Sequence, residues 1–553
     1  MIATTDRVSA DLVLFNGKIV TLDEDDTIAQ AVVIKSDRIT FVGTSDEALS
    51  SAGPKTVKID LSGRCAIPGI VDSHTHPTHL ATRLLSEVDC RYPKVKSIAD
   101  LKTEISKKAK HTEPGTWIIA WGYDNTKLEE NRHVTRWELD EAAPCNPVYV
   151  RRVDGHVSVG NTLAFEKAEV GRETKDPPSG KLDRASDGEL TGVLRGRAQE
   201  LVRDSIPPYT LEDIKKGLKL CFQQLTRCGI TSIQASTAGS LHLKAFQELR
   251  REGELPIRVG LMMDGGEEGL LSALIKTGLE TGFGDEWIKV IGIEWVFDGS
   301  TSGRTAAYYE PYLGEPENRG FILYPPEVMN SMVLQAHKAG LRVGLDGVGD
   351  RGIDACLDAI EKALEALPKK NHRHRIEHCC YVTSSIAARL KRLDVLNMSA
   401  AGFIYDLGDA YLANLGEGRM RNVLPHRTLK SLGIRAPGHS DFPVCSENPM
   451  LGIYGMITRK TMARMVLDES ECISVVDALR AYTIDGAYAS FEEDLKGSIE
   501  QGKLADITVL HEDITIIPTE RIKNVEVDVT IVGGKIVYQK PRQVNSFEAQ
   551  ENE

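Results

Sequence analysis

Apolar positions recur along this chain in two rhythms. Near both ends they alternate every second residue in short runs broken by turn residues, the spacing of half-buried strands. Asp11–Phe15, Lys18–Thr21, Ala31–Lys35, Ile39–Gly43 and Val57–Asp60 read this way, with Asn16-Gly17 and Ser36-Asp37 as hairpin turns. The far end repeats the style in Gly497–Ile499, Ala505–Leu510, Val527–Val532 and Lys535–Tyr538, the last two joined by Gly533-Gly534. These two β-rich ends predict one small β-sandwich domain built from residues 1–66 and 490–553.

Between them, buried-strand runs alternate with amphipathic helical stretches such as 211–228 and 353–367. The runs are the one ending in His74 and His76, then Gly229–Gln234, Ile257–Met263, Ile288–Phe297, Leu341–Asp346, Arg375–His378, Val395–Ser399 and the segment around Arg435–Pro443. Eight strands with helical crossovers predict an α/β fold of the (β/α)₈ TIM-like barrel type, over residues 67–84 and 226–489. The span from Ile70 to Pro443 exceeds the roughly 250 residues typical of such a barrel. The surplus, residues 85–225, is expected to be an inserted α+β domain that covers the barrel mouth.

A formal net charge of −13 disfavours nucleic acid or an anionic membrane surface as partner. A small-molecule substrate is the expected partner, and a homodimer is the oligomer left open. The ten cysteines are scattered without a CxxC, so buried free thiols and a cytoplasmic address are expected. The adjacent pair Cys379-Cys380 is read as structural.

The chemistry is expected at the C-terminal strand ends, where barrel active sites sit. The first strand ends in Val71-Asp72-Ser73-His74-Thr75-His76; alternation along a strand points both imidazoles the same way. Strand six ends in His378 and strand eight in Asp441. Each alone is a weak signal. Three imidazoles and a carboxylate at equivalent ends of one barrel suit a divalent metal and an activated water. His156 in the inserted segment and Arg304 in a glycine-rich loop are candidate substrate contacts. Asp298 and Arg304 are expected to order that loop by an internal ion pair. Glu377, next to His378 on a strand, is expected to point away from the site.

Taken together, the motifs Pro68–His76, Asp298–Ala306, Gly349-Asp350-Arg351, His374–His378, Ser440–Pro443 and Gly497–Asp506 resemble the amidohydrolase superfamily. Within it they are similar to amidohydrolase family 3, the branch of the N-substituted formamide deformylases. The resemblance implies that His74, His76, His378 and Asp441 are metal ligands and that Asp441 also shuttles a proton. Two positions depart from the branch. Its strand-four lysine, which bridges two metals when carboxylated, is Glu294 here, and its strand-five histidine is Asp346. Both are oxygen ligands, so one or two divalent metals per chain are expected, zinc first, with manganese or iron favoured by the added carboxylates. The activity implied is hydrolysis of a small-molecule amide-like C–N bond, of formamide or N-acyl amine type. Two alternatives stay open: another reaction on the same scaffold (ester, thioester or lactone hydrolysis, deamination, decarboxylation or iron-dependent oxidation), or a catalytically silent scaffold subunit.

Overall fold

The computed structural model describes residues 9–541. Its centre is a sheet of seven strands, each parallel to its neighbours: β1 (Ile70–Thr75), β2 (Ile230–Ala238), β3 (Arg258–Asp264), β4 (Ile288–Trp295), β5 (Val343–Gly347), β6 (Arg375–His378) and β7 (Leu396–Asn397). They pair in chain order, so every C-terminal end opens on the same side. The expected eighth strand is not a strand. The segment Pro437–Asp441 instead makes a single parallel bridge, Ser399 to Gly438, on one side. On the other side Ser73 N donates to Gly438 O at 3.3 Å and Asp441 N to His74 O at 3.1 Å. Asp441 itself has φ +55°, which bends the chain out of any regular ladder.

Helices cover the outside of this sheet because their apolar stripes recur at helical spacing. Helix Leu211–Arg227 buries Ile214, Leu218, Cys221, Phe222 and Leu225, and Thr210 caps it by accepting from Asp213 N. Gly217 lets it lie directly on helix Pro77–Ser86, since a Cβ there would stand 2.0 Å from Ala81 O. These helix residues share one core with Ile233, Leu261, Ile293, Leu345 and Ile376 of the strands.

The ends of the chain form two further sheets. Arg38–Gly43, Ala31–Lys35, Leu12–Phe15 and Val57–Asp60 make one. Lys535–Gln539, Val527–Val532, Ile507–Leu510, Cys65–Pro68, Lys18–Val20 and Ile28–Ala29 make the other, which mixes both ends of the chain. Leu14, Ile34 and Ile39 of the first share a core with Ile507, Val529 and Ile531 of the second. Ser36-Asp37 and Gly533-Gly534 are two-residue hairpin turns, closing the pairs Lys35–Arg38 and Val532–Lys535. Asn16-Gly17 is not: the strands before and after it enter different sheets, because their apolar faces find partners elsewhere in the chain. Gly497–Ile499 also forms no strand; Ile499 N donates to Thr21 O at 2.8 Å, and Ser498 Oγ accepts from Lys503 Nζ.

Residues 88–196 contain a separate six-stranded sheet with its own apolar core around Ile118, Val150 and Val159. The turn that follows its strand Val148–Arg152 carries Asp154 and His156 to the C-terminal side of the central sheet. No helix among the described residues is long and apolar enough to cross a membrane.

Candidate metal centre

Three donor atoms converge at the end of β1. His74 Nε2 and His76 Nε2 lie 3.3 Å apart, and Asp441 Oδ1 stands 3.5 Å from the first and 3.1 Å from the second. The opposite ring nitrogens are already engaged. His74 Nδ1 faces Glu377 Oε2 at 2.8 Å and Ser236 Oγ at 3.0 Å, and His76 Nδ1 faces Thr237 Oγ1 at 3.1 Å. A proton on each Nδ1 leaves both Nε2 lone pairs aimed at a common point beside a carboxylate, the geometry in which a carboxylate–histidine pair orients a metal ligand.

His378, Asp346 and Glu294 stand around that group of three donors without joining it. The His378 ring lies 4.6 Å from that of His74 and stacks on Phe403 at 5.6 Å. Its Nε2 is 3.6 Å from Asp346 Oδ1, and its Nδ1 is 4.0 Å from Asp441 Oδ2. Glu294 approaches His74 Nδ1 to 4.0 Å. Both Glu294 oxygens, Asp346 Oδ1 and His378 Nδ1 are buried without a hydrogen-bond partner. A fully buried carboxylate with no donor is costly, and a cation is the usual remedy.

Charge around these donors says the same. Glu294, Asp346, Glu377 and Asp441 are buried carboxylates, and of these Glu377 is paired with the Arg375 guanidinium. Burial, with Glu377 nearby, raises the Glu294 pKa, and burial together with Glu294 raises that of Asp346 well above the usual range. Burial opposes it, but Glu294, Asp441 and Glu377 together hold the His74 imidazole pKa well above its ordinary value. Burial likewise opposes ionisation of Asp441, yet His378, His74 and His76 keep its pKa well below normal. Burial pushes His378 down to about 3. A divalent cation offsets this anionic excess and matches the N and O donor set.

Glu377 is a correction to the strand-parity expectation. Arg375 and Glu377 share the inner face of β6, where Arg375 donates to Glu377, to Gln234 Oε1 and to Ser73 O. Strict alternation would then turn His378 outward, but His378 and Cys379 adopt φ +62° and +39°. That left-handed kink brings the imidazole back inside. The Arg-x-Glu spacing on a buried strand was the available signal for Glu377; nothing local marks Ser236 or Thr237.

Asp298 and Arg304 do not pair. Asp298 accepts four backbone N–H groups, those of Gly299, Ala307, Val348 and Gly349, at 2.6–2.9 Å, and so ties the loop after β4 to the loop after β5. Arg304 instead reaches Glu315 at 2.5 Å and Asn414 at 2.9 Å, on the wall of an outer basin. His156 lines a small chamber beside the metal centre with Asp154, Ser300, His378, Phe403 and Asp441. Cys379 and Cys380 are buried, and burial raises both thiol pKa values.

The chain belongs to the amidohydrolase family, whose family model matches residues 58–538. It is 29% identical to the Bacillus subtilis protein YtcJ, over 95% of this chain and 98% of that one. It is 26% identical to the N-substituted formamide deformylase of Arthrobacter pascens, over 96% and 98% of the two chains. Among solved structures it is similar to an uncharacterized metal-dependent hydrolase from Pyrococcus horikoshii, with a TM-score of 0.73 and 26% identity over 92% and 99% of the chains.

Proposed function

We propose that this chain is a metal-dependent hydrolase of a small-molecule amide-like C–N bond, of formamide or N-acyl amine type. The observation that carries it is the convergence of His74 Nε2, His76 Nε2 and Asp441 Oδ1, each imidazole fixed from behind. The likeness to the Arthrobacter formamide deformylase and to the Pyrococcus metal-dependent hydrolase supports the same reading. In it, the seven parallel strands and the Pro437–Asp441 segment are an eight-membered barrel, the end sheets are one domain, and 85–225 is an inserted one.

His74, His76 and Asp441 would hold a first divalent metal, zinc by its N/O preference. Glu294, Asp346 and His378 would serve a second, or harder, ion such as manganese or iron. A bound cation of this kind acidifies water and polarises a carbonyl oxygen. Asp441, kept ionised, takes the proton of the attacking water as its oxygen bonds to the carbonyl carbon. The same carboxyl returns that proton to nitrogen as the C–N bond breaks, releasing acid and amine. Glu377 holds His74 in one tautomer, and Arg375 keeps Glu377 ionised.

Elemental analysis of the purified chain, with hydrolysis assays on formamides, N-acyl amines and esters, tests the proposal. At least one divalent metal per chain is expected, and His76→Ala should lower metal content and turnover together. Protein that is metal-free and takes up no zinc, manganese or iron overturns it.

A further inference from the structure

The chamber beside His378 and Asp441 has a volume of about 20 Å³, room for one water and little else. Any amide must therefore place most of its atoms elsewhere. Next to the chamber lies a groove of about 250 Å³, and beyond it the basin of about 760 Å³ on whose wall Arg304 sits. Leu407 and Val444 line both chamber and groove, so these two side chains are the partition between them. Groove and basin in turn share Tyr92, Asp124, Lys127, Asp406 and Met462.

Leu407 is the joint between two short helices, Gly402–Asp406 and Gly408–Leu415, with φ −116° and ψ −5°. The junction is tethered from across the groove: Lys127 Nζ donates to Asp406 O at 2.9 Å. Lys127 belongs to the segment 85–225, so one bond links that segment to the residue preceding the partition. Val444 follows from the other side, its N–H held on Asp441 O at 2.7 Å.

We propose that Leu407 and Val444 form a size-selecting gate between the chamber and the groove, kept shut by the Lys127 tether. The groove then holds the bulk of the substrate while only the scissile group passes inward. On its wall Tyr92, Tyr405, Leu451 and Met462 fit an aromatic or apolar substituent, beside the charged Arg91, Asp124, Lys127 and Glu447. This rests on the metal-centre reading above, and the substrate class it adds is an amide bearing such a group.

The test reads access to the metal instead of turnover. Zinc-loaded protein is mixed with a small chelator, acetohydroxamate, and with a flat bulky one, 1,10-phenanthroline, and the rate of zinc loss is followed. Wild type should lose zinc to acetohydroxamate much faster than to phenanthroline. Leu407→Ala and Val444→Ala should speed extraction by phenanthroline about tenfold, and by acetohydroxamate less than about twofold, because the obstacle removed is steric. Lys127→Met, which leaves the apolar packing intact, should shift the same ratio and covers the case in which Leu407→Ala fails to fold. Equal acceleration with both chelators means a loosened fold and overturns the gate, as do unchanged rates. Wild-type protein that binds no zinc fails at the loading step, which identifies the metal-centre reading as the part at fault.

Discussion

Replacing Glu377 by glutamine probes the centre without touching any of the three converging donors. The carboxylate is fully buried and carries two opposed duties: it accepts from Arg375 through both oxygens, and Oε2 faces His74 Nδ1 at 2.8 Å. Glu377→Gln removes the anion and leaves the Arg375 guanidinium buried against neutral partners, Gln234 Oε1 and Ser73 O. Breaking one member of a buried ion pair costs about 3–5 kcal/mol. The amide nitrogen, if it faces His74, also drives the ring into the tautomer whose Nε2 carries the proton and cannot bind metal. Loss of such a supporting carboxylate lowers metal affinity about 10- to 100-fold, which is about 1.4–2.7 kcal/mol. The two effects separate by experiment. Urea midpoints of stripped protein report the ion-pair loss, and chelator-competition titration of zinc reports the affinity. Stripped Glu377→Gln protein that is destabilised yet binds zinc with wild-type affinity would refute the orienting role. Unchanged stability would refute the ion-pair account.

Glu294→Gln keeps shape and removes charge, so with two metals bound the second should leave first, by stoichiometry in elemental analysis; wild-type stoichiometry sinks the bridging role. Asp346→Ala should weaken metal binding about tenfold or more, while Asp346→His, longer than the side chain it replaces, should lower turnover instead of raising it. Away from the centre, His374 accepts from Val343 N at 3.1 Å through Nδ1 and contacts His337 Nδ1 at 2.9 Å through Nε2, leaving no place for a second proton. Burial, with His372, His337 and Arg342 around it, holds its pKa well below 6.5. The unfolded chain then binds the extra proton, so its contribution to stability is full above pH 6.5 and is lost as pH falls below it. His374→Gln should reduce the pH slope of unfolding free energy near pH 5.5 by up to about 1.4 kcal/mol per pH unit, and an unchanged slope in urea melts contradicts this.

Local chemistry determined much of the chain. The two-residue period of a strand placed His74 and His76 on one side, Ser36-Asp37 and Gly533-Gly534 closed hairpins, and Thr210 with Asp213 started a helix whose stripe had to be buried. Such features depend on φ/ψ preferences and on neighbours a few residues away, so a sequence carries them directly. Partner choice is different. Asn16-Gly17 has hairpin chemistry, yet its flanking strands pair with residues far along the chain, because apolar area is buried wherever the fold offers it. The regular eighth strand dissolved into a single bridge for the same reason: the segment had to satisfy Ser73 and His74 on one side and Ser399 on the other while bending at Asp441. The centre shows the division most sharply. Strand parity alone would put Glu377 outside and His378 inside. Burial of Arg375 brought its counter-ion inward, and a left-handed turn at His378 brought the imidazole in beside it. That choice balances desolvation of a buried guanidinium against backbone strain, a sum that exists only once the tertiary structure has formed.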